Sequence, residues 1–156
     1  MKRIVFSVDV DAPADRVFAA VVDWRGQDKW IPLTTVTPGR HNGVGTEGEL
    51  SAFTGIGRLG FLDTMIITKW DAPHRVDVRH TGAVVRGTGI MRVEKLSETT
   101  SRFYWAEELD LPLGIVGELG WELIKPAFAL GMRQALRKFA TLVESGEIGN
   151  ELASVA

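Results

Sequence analysis

The chain contains no cysteine, one tyrosine and three histidines. The absence of thiols excludes disulfides and cysteine nucleophiles. It also excludes zinc or iron–sulfur sites that are built on cysteine. The histidines at positions 41, 74 and 80 are scattered and show no metal-binding spacing such as His-x-x-x-His. We therefore predict neither a bound metal nor another cofactor.

The chain also lacks a charge excess of one sign and any long apolar run. Its 18 lysines and arginines are balanced by 20 acidic residues, giving a net charge of −2. Nucleic acids and anionic membranes bind clustered basic residues, so neither is an expected partner. No stretch approaches the roughly 18 consecutive apolar residues of a membrane-spanning helix, and Met1–Val10 alternates instead of forming a signal-peptide core. We expect a cytoplasmic protein with no membrane insertion, and its oligomeric state stays open.

What is present fits one globular domain. The 156 residues are 45% apolar, enough for a substantial core. We expect an ordered core over residues 2–146 and a C-terminal tail over 147–156. The alternation of residues 4–10 predicts a first strand. Asp11 and Pro13 then resemble a helix start, with Asp11 as a candidate cap. That helix and a second short helical turn, which reaches Trp30, precede the rest of the sheet.

The middle of the chain alternates like strands and is divided by turn residues such as Pro38-Gly39 and Asn42-Gly43. The six predicted strands cover residues 33–38, 46–54, 61–70, 75–81, 85–96 and 102–110. Short links between consecutive strands favour an antiparallel meander. Glycines here suit bulges and strong coiling of the sheet.

A long helical pattern, Leu113–Ser145, ends the chain. Its apolar residues share one face, which must be buried; they are Phe128, Met132, Ala135, Leu136, Phe139 and Val143. Pro126 and nearby glycines predict a kinked or movable helix start. The sequence thus predicts an α+β fold of order β-α-α-β6-α, a helix-grip fold in which a seven-stranded curved antiparallel sheet surrounds a long C-terminal helix.

Several segments carry a family resemblance over nearly the whole chain. They are Val8–Phe18 with its Ala-Pro pair and Val-Phe helix, Trp24–Pro32, Phe61–Asp63 leading to Thr68–Pro73, and Phe103–Leu109. The chain resembles the START-related SRPBCC superfamily, close to its polyketide cyclase/dehydrase branch. The resemblance implies a helix-grip cavity for a small hydrophobic molecule such as a lipid, polyketide or isoprenoid. It leaves three functions open: a non-catalytic binder or carrier, which we favour, an aromatase/cyclase or dehydratase, and a protein-interaction module.

Side chains that line such a cavity follow from alternation along the strands and from the apolar helix face. The ligand-binding candidates are Met65, Ile67, Val78, His80, Phe103, Trp105, Glu107, Trp121, Phe128 and Met132. Aromatic rings and a thioether suit a flat or greasy ligand.

Three titratable residues are candidates for catalysis: His80, Asp63 and Glu107, each on the apolar face of its strand. His80 is a possible proton shuttle, but the commoner role of a histidine at a strand end is a hydrogen bond to a backbone carbonyl. Asp63 has the alternative of pairing with Arg58 or Arg86, and Glu107 that of lying beside solvent or an arginine. If both carboxylates face the cavity, they could divide acid and base roles.

Overall fold

A single antiparallel sheet of seven strands carries the fold, in the spatial order β1-β7-β6-β5-β4-β3-β2. The computed structural model describes residues 2–110 and 114–150. The strands are β1 (Lys2–Val10), β2 (Thr34–Pro38), β3 (Glu49–Ile56), β4 (Leu59–Asp71), β5 (Arg75–Thr81), β6 (Arg86–Lys95) and β7 (Ser101–Asp110). The helices are α1 (Ala14–Val21) and α2 (Gly114–Glu144), with short 3₁₀ helices at Trp24–Lys29 and Arg40–Gly43. The predicted α+β helix-grip fold is confirmed.

The element boundaries differ from the prediction where turns and caps decide them. Strand β3 begins at Glu49 instead of residue 46 because the Gly48 amide donates to the Gly45 carbonyl, which closes a turn there. The capping role of Asp11 is wrong: α1 begins after Pro13 without a side-chain cap, and the Asp11 amide donates to the Glu144 carboxylate. Helix α2 continues through Pro126, and the predicted first residue, Leu113, lies outside the described residues.

Helix α2 has two halves with different surroundings. In its second half the predicted apolar face is buried; Met132, Ala135, Leu136, Phe139 and Val143 are each at most 9% exposed. In its first half four large apolar side chains are exposed, namely Leu119, Leu123, Ile124 and Leu130. The second half of α2 is therefore held in the core, whereas the described part of the first half contacts the sheet through Phe128 and leaves other apolar side chains in solvent.

The inner face of the sheet is apolar and its central packing is aromatic. Trp30, from the first 3₁₀ helix's C-cap, packs against Phe103 and Trp105 of β7 and Phe139 of α2, with ring centroids 4.9–6.3 Å apart. Such edge-to-face contacts are favourable beyond area burial. They join the sheet, the 3₁₀ segment and α2 into one core.

The chain end also contributes to this core. Of the residues predicted as a tail, Ile148 is 4% exposed and belongs to the core cluster. Residues 151–156 lie outside the described part. Within the described residues, no helix combines the length and apolarity needed to cross a membrane.

Candidate functional site

Three charged side chains lie together on the otherwise apolar inner face of the sheet. Asp63 comes from β4, His80 from β5 and Glu107 from β7. Their direct partners across the strands are small or apolar: Asp63 pairs with Ala52, His80 with Met65 and Gly87, and Glu107 with Ile4 and Gly89. Asp63 and His80 therefore meet diagonally across the neighbouring strands β4 and β5, whereas His80 and Glu107 meet across the intervening strand β6.

His80 lies between the two carboxylates and bonds to both. Its Nδ1–H donates to Asp63, at 2.8 Å from Oδ2 and 3.0 Å from Oδ1. Its Nε2–H donates to Glu107 Oε2 at 3.0 Å. The other oxygen of Glu107 accepts the indole N–H of Trp105 at 2.5 Å. The four side chains thus form a continuous hydrogen-bonded chain, Asp63–His80–Glu107–Trp105, which we call the acid–histidine chain.

The surroundings of His80 favour its charged form. Burial by itself would lower the pKa of the imidazole, but the hydrogen bonds to Asp63 and Glu107, together with their charges, raise the pKa from 6.5 to about 9. Both ring nitrogens then carry protons at neutral pH, which matches the two bonds that they donate. The imidazolium with two carboxylates gives the acid–histidine chain a net charge of −1.

Gly89 makes room for the bond between His80 and Glu107. Strand β6 lies between the strands that carry them, so Glu107 must reach across β6 to touch the imidazole. A Cβ at position 89 would lie 3.1 Å from both Glu107 carboxylate oxygens and 3.0 Å from Val78 Cγ2. The predicted use of glycine in this part of the chain was sheet coiling, and the place of Gly89 beside the site was not predicted. The signal available was a glycine on the inner face, next to two titratable residues.

Asp63 is paired, as its alternative role required, but the partners named for the three residues are wrong. His80 bonds to two carboxylates instead of a backbone carbonyl. Asp63 pairs with His80 instead of Arg58 or Arg86, and Glu107 bonds to His80 and Trp105 instead of an arginine. The two carboxylates do share the inner face, with the imidazole held between them. Their catalytic roles stay predictions.

The other ligand-binding candidates divide into two groups. Ile67, Val78, Phe103 and Met132 are buried in the core, each at most 9% exposed. Met65, Trp105, Trp121 and Phe128 are only partly buried. Phe128 of α2 faces Phe6 of β1 with ring centroids 6.4 Å apart, and Trp121 lies 5.6 Å from Phe128. Partly exposed inward-facing groups are thus found on both the sheet and the first half of α2.

Trp30 is a further residue that the sequence analysis did not single out. It is 2% exposed, and its indole N–H has no hydrogen-bond partner in the described part of the chain. An unpartnered buried donor costs about 1–3 kcal/mol. Because Trp30 packs against Trp105, this donor belongs to the same aromatic region as the acid–histidine chain.

A depression of about 380 Å³ opens where β5, β6 and β7 come together at one end of the sheet. His80 is among its lining residues, with Arg79, Arg86, Asp110 and several threonines and glycines. No large apolar side chain and no residue of α2 is among these lining residues, so the depression is not the pocket between sheet and helix that the sequence predicts. Among residues 2–110 and 114–150, no group of three or more histidine, aspartate or glutamate side chains is arranged to hold a metal ion.

Solved structures with the same fold include aromatase/cyclases. The Zhui aromatase/cyclase from Streptomyces sp. R1128 has a TM-score of 0.75 at 15% identity, covering 92% of this chain and 93% of that one. The di-domain aromatase/cyclase BexL from the BE-7585A biosynthetic pathway has a TM-score of 0.70 at 21% identity, covering 92% of this chain and 47% of that one. The protein TTHA0849 from Thermus thermophilus has a TM-score of 0.77 at 14% identity, covering 93% of this chain and 99% of that one. At these identities the likeness shows the fold alone.

Sequence comparison is more specific about the family. No curated protein matches the chain. The model of the family described as polyketide cyclase/dehydrase and lipid transport, however, matches residues 1–144. This match covers the seven strands and both helices of the described residues, together with Asp63, His80 and Glu107. The chain therefore belongs to the polyketide cyclase/dehydrase and lipid transport family.

Proposed function

We propose that this protein binds a small, mainly apolar molecule between the inner face of the sheet and the first half of α2, where the acid–histidine chain meets it. The observation that carries the proposal is a charged, hydrogen-bonded group on a face that is otherwise apolar. Maintaining such a group beside apolar walls is costly for stability alone. Ligand sites, in contrast, combine apolar walls with a few convergent polar groups.

The exposure pattern supports this location. Met65 and Trp105 on the sheet and Trp121 and Phe128 on α2 are partly exposed. A molecule that covers these groups would remove their apolar surface from water, which contributes roughly 25 cal/mol per Å².

A second candidate function is cyclisation with loss of water, and the coupling of His80 to two carboxylates favours it. Groups whose pKa is shifted by specific partners are concentrated at catalytic sites. In such a reaction a carboxylate oxygen of the acid–histidine chain would accept a proton from a carbon between two ketones. The carbanion would attack a second carbonyl of the same molecule, the new alkoxide would take back the proton, and elimination would release one water.

The test of binding is mass spectrometry of the freshly purified protein under non-denaturing conditions, compared with its denatured mass. A defined extra mass that is released by organic extraction is the expected result. Phe128→Ser, which places a hydroxyl on the proposed wall, should reduce the occupied fraction. Thr141→Ser on an exposed part of α2 is the control and should leave it unchanged. Equal occupancy in the two variants would place the ligand elsewhere.

The test of catalysis uses a linear poly-β-ketone and follows a product that is lighter by one water. Glu107→Gln removes a carboxylate that could act as the base and should lower the rate by about 10²-fold or more, the usual contribution of acid–base catalysis. His80→Gln should also lower the rate, because both carboxylates lose the partner that positions them. Glu94→Gln, on the outer face of the sheet, is the matched control. If the wild-type protein retains the ligand but forms no product, the result supports the binding function and contradicts the catalytic one.

A further inference from the structure

We infer that the bound molecule presents a neutral hydrogen-bond donor, such as a phenol, enol or alcohol, to the carboxylates of Asp63 and Glu107, and that the site discriminates against carboxylates. This inference rests on the proposed binding function and specifies the chemical class of ligand. It follows from counting the donors, acceptors and charges of the acid–histidine chain.

Acceptors outnumber donors in this group. Each carboxylate offers about four lone-pair sites. The donors that meet them are the two ring N–H groups of His80 and the indole N–H of Trp105. Both protons of the imidazolium are therefore already engaged, and what remains for a ligand are lone pairs on oxygen. A group with an O–H fits these positions, whereas a carbonyl or ether oxygen does not.

The charge balance points the same way. The acid–histidine chain carries −1, and no lysine or arginine of the described residues lies within 4.0 Å of either carboxylate. Its neighbours across the strands, Ala52, Ile4 and Met65, supply no positive charge. An anionic ligand on the inner face would meet this like charge, since Arg79 and Arg86 at the end of the sheet form no ion pair with either carboxylate.

Exposure shows which atoms a ligand can reach. The side chains of Asp63 and Glu107 are each 13% exposed, and that of His80 is 6% exposed. The carboxylates thus have a larger exposed fraction than the imidazole, although His80 also contributes to the depression at the end of the sheet. The role of His80 is then to hold the two carboxylates in place through its two hydrogen bonds, so that it is a positioning residue.

A neutral donor also fits better than an ammonium ion. A cation would satisfy the charge, but its dehydration beside apolar and aromatic walls is far more costly than that of a hydroxyl. A hydroxyl loses less hydration and still forms a charge-assisted hydrogen bond with a carboxylate, which is stronger than a neutral one.

Three probes of nearly the same shape test the inference: 2-naphthol, 2-methoxynaphthalene and 2-naphthoate. Dissociation constants are measured at pH 7 by calorimetry or ligand-observed NMR. We expect 2-naphthol to bind at least tenfold more tightly than the methyl ether, which lacks the donor, and than the naphthoate, which carries the negative charge. Equal affinities for naphthol and the methyl ether, or a preference for naphthoate, would overturn the inference while leaving the binding function intact.

Variants of the site separate selectivity from general binding. Glu107→Gln removes one negative charge and retains the side-chain shape, so the naphthol-to-naphthoate affinity ratio should fall about tenfold. Asp63→Asn provides the same test on the opposite side of His80, in case Glu107→Gln folds poorly. Glu94→Gln should leave the ratio unchanged. If none of the three probes binds although the purified protein retains an extractable ligand, the inference is overturned and the binding function stands.

Discussion

At the scale of the residue, the main feature is a histidine whose two ring nitrogens are both engaged by carboxylates. Most exposed ion pairs contribute little to stability, since water screens them. The bonds of His80 to Asp63 and Glu107 differ because the His80 side chain is only 6% exposed. The stabilisation from these two hydrogen bonds therefore depends on whether the His80 ring is protonated. It can be measured as a change in the free energy of unfolding with pH.

The first prediction concerns the dependence of stability on pH. The pKa of His80 is raised from 6.5 to about 9 in the folded protein. The stabilisation that follows is fully present below pH 6.5 and is lost as the pH rises through about 9. A shift of this size corresponds to a stabilisation on the order of 3 kcal/mol. Denaturant unfolding between these pH values should show the wild-type protein losing stability relative to His80→Gln.

The comparison with His80→Gln isolates the histidine, because all other titrating groups are shared between the two proteins. The groups that face the ring are Asp63, Glu107 and the Trp105 indole. Parallel stability curves across this pH range would show that His80 does not bind its proton more tightly in the folded state.

The second prediction concerns Gly89. In Gly89→Ala the new methyl group would lie 3.1 Å from the Glu107 oxygens and 3.0 Å from Val78. Glu107 must move, so the pKa of His80 should fall and the free energy of unfolding should drop by about 1–3 kcal/mol. NMR titration of the His80 ring reports the first effect, and chemical denaturation reports the second.

Gly82→Ala is the matched control for this substitution. The nearest atoms to its new methyl group lie at 3.5 Å, an ordinary packing distance. Its stability should change by less than about 1 kcal/mol, and the titration of His80 should stay as in the wild-type protein. An unaltered titration in Gly89→Ala as well would mean that Gly89 has no role in placing Glu107.

At the scale of the element, α2 combines one anchored half with one exposed half. Leu136 is 1% exposed, whereas Leu123 is 83% exposed. Arg16 of α1 adds to the anchoring, since its guanidinium donates to the Val143 carbonyl at 2.7 Å. The anchored half therefore supports the fold, and the exposed half is available to contact a ligand.

The third prediction compares the same truncation in the two halves. Leu136→Ala should lower the free energy of unfolding by about 2–5 kcal/mol because it leaves a cavity in the core. Leu123→Ala should change it by less than about 0.5 kcal/mol, since the side chain is already in water. Urea denaturation of both variants measures the difference. A similar cost for both would show that the first half of α2 packs as tightly as the second.

At the scale of the whole molecule, the closed aromatic centre and the open inner surface lie on the same sheet. The core cluster joins β-strands, α1, the 3₁₀ segment and the second half of α2. The acid–histidine chain lies on this face with partly exposed groups nearby. Rigid support beside an accessible surface is the arrangement that small-molecule sites generally need.

The fourth prediction is a pattern of amide hydrogen exchange. Amides of β5–β7 and of residues 132–143 should be the slowest to exchange, because their opening requires loss of the core. Amides of residues 119–130 should exchange faster, since the exposed face of that segment contributes little tertiary stabilisation. Adding a bound ligand, such as 2-naphthol if it binds, should slow exchange in residues 119–130 and around His80. Protection confined to other regions would contradict the proposed location.

Much of the architecture could be predicted from the sequence, because it depends on local rules. Period-two alternation with turn residues predicted all seven strands within a few positions. The apolar spacing of Met132, Leu136 and Phe139 predicted the buried face of α2. Helix starts were less predictable: Asp11 resembles a cap, but a cap depends on backbone geometry, and its amide is used by Glu144 instead.

The acid–histidine chain depended on the tertiary structure. The sequence by itself determined that Asp63, His80 and Glu107 face inward, since side chains alternate along a strand. Alternation along a strand does not show that these three side chains meet. Strand order and register bring His80 beside Asp63 across β4 and β5. Glu107 reaches His80 across β6, where Gly89 has no side chain in the way. Periodicity assigns a residue to a face, whereas contact between residues 63, 80 and 107 is decided by how distant strands pair.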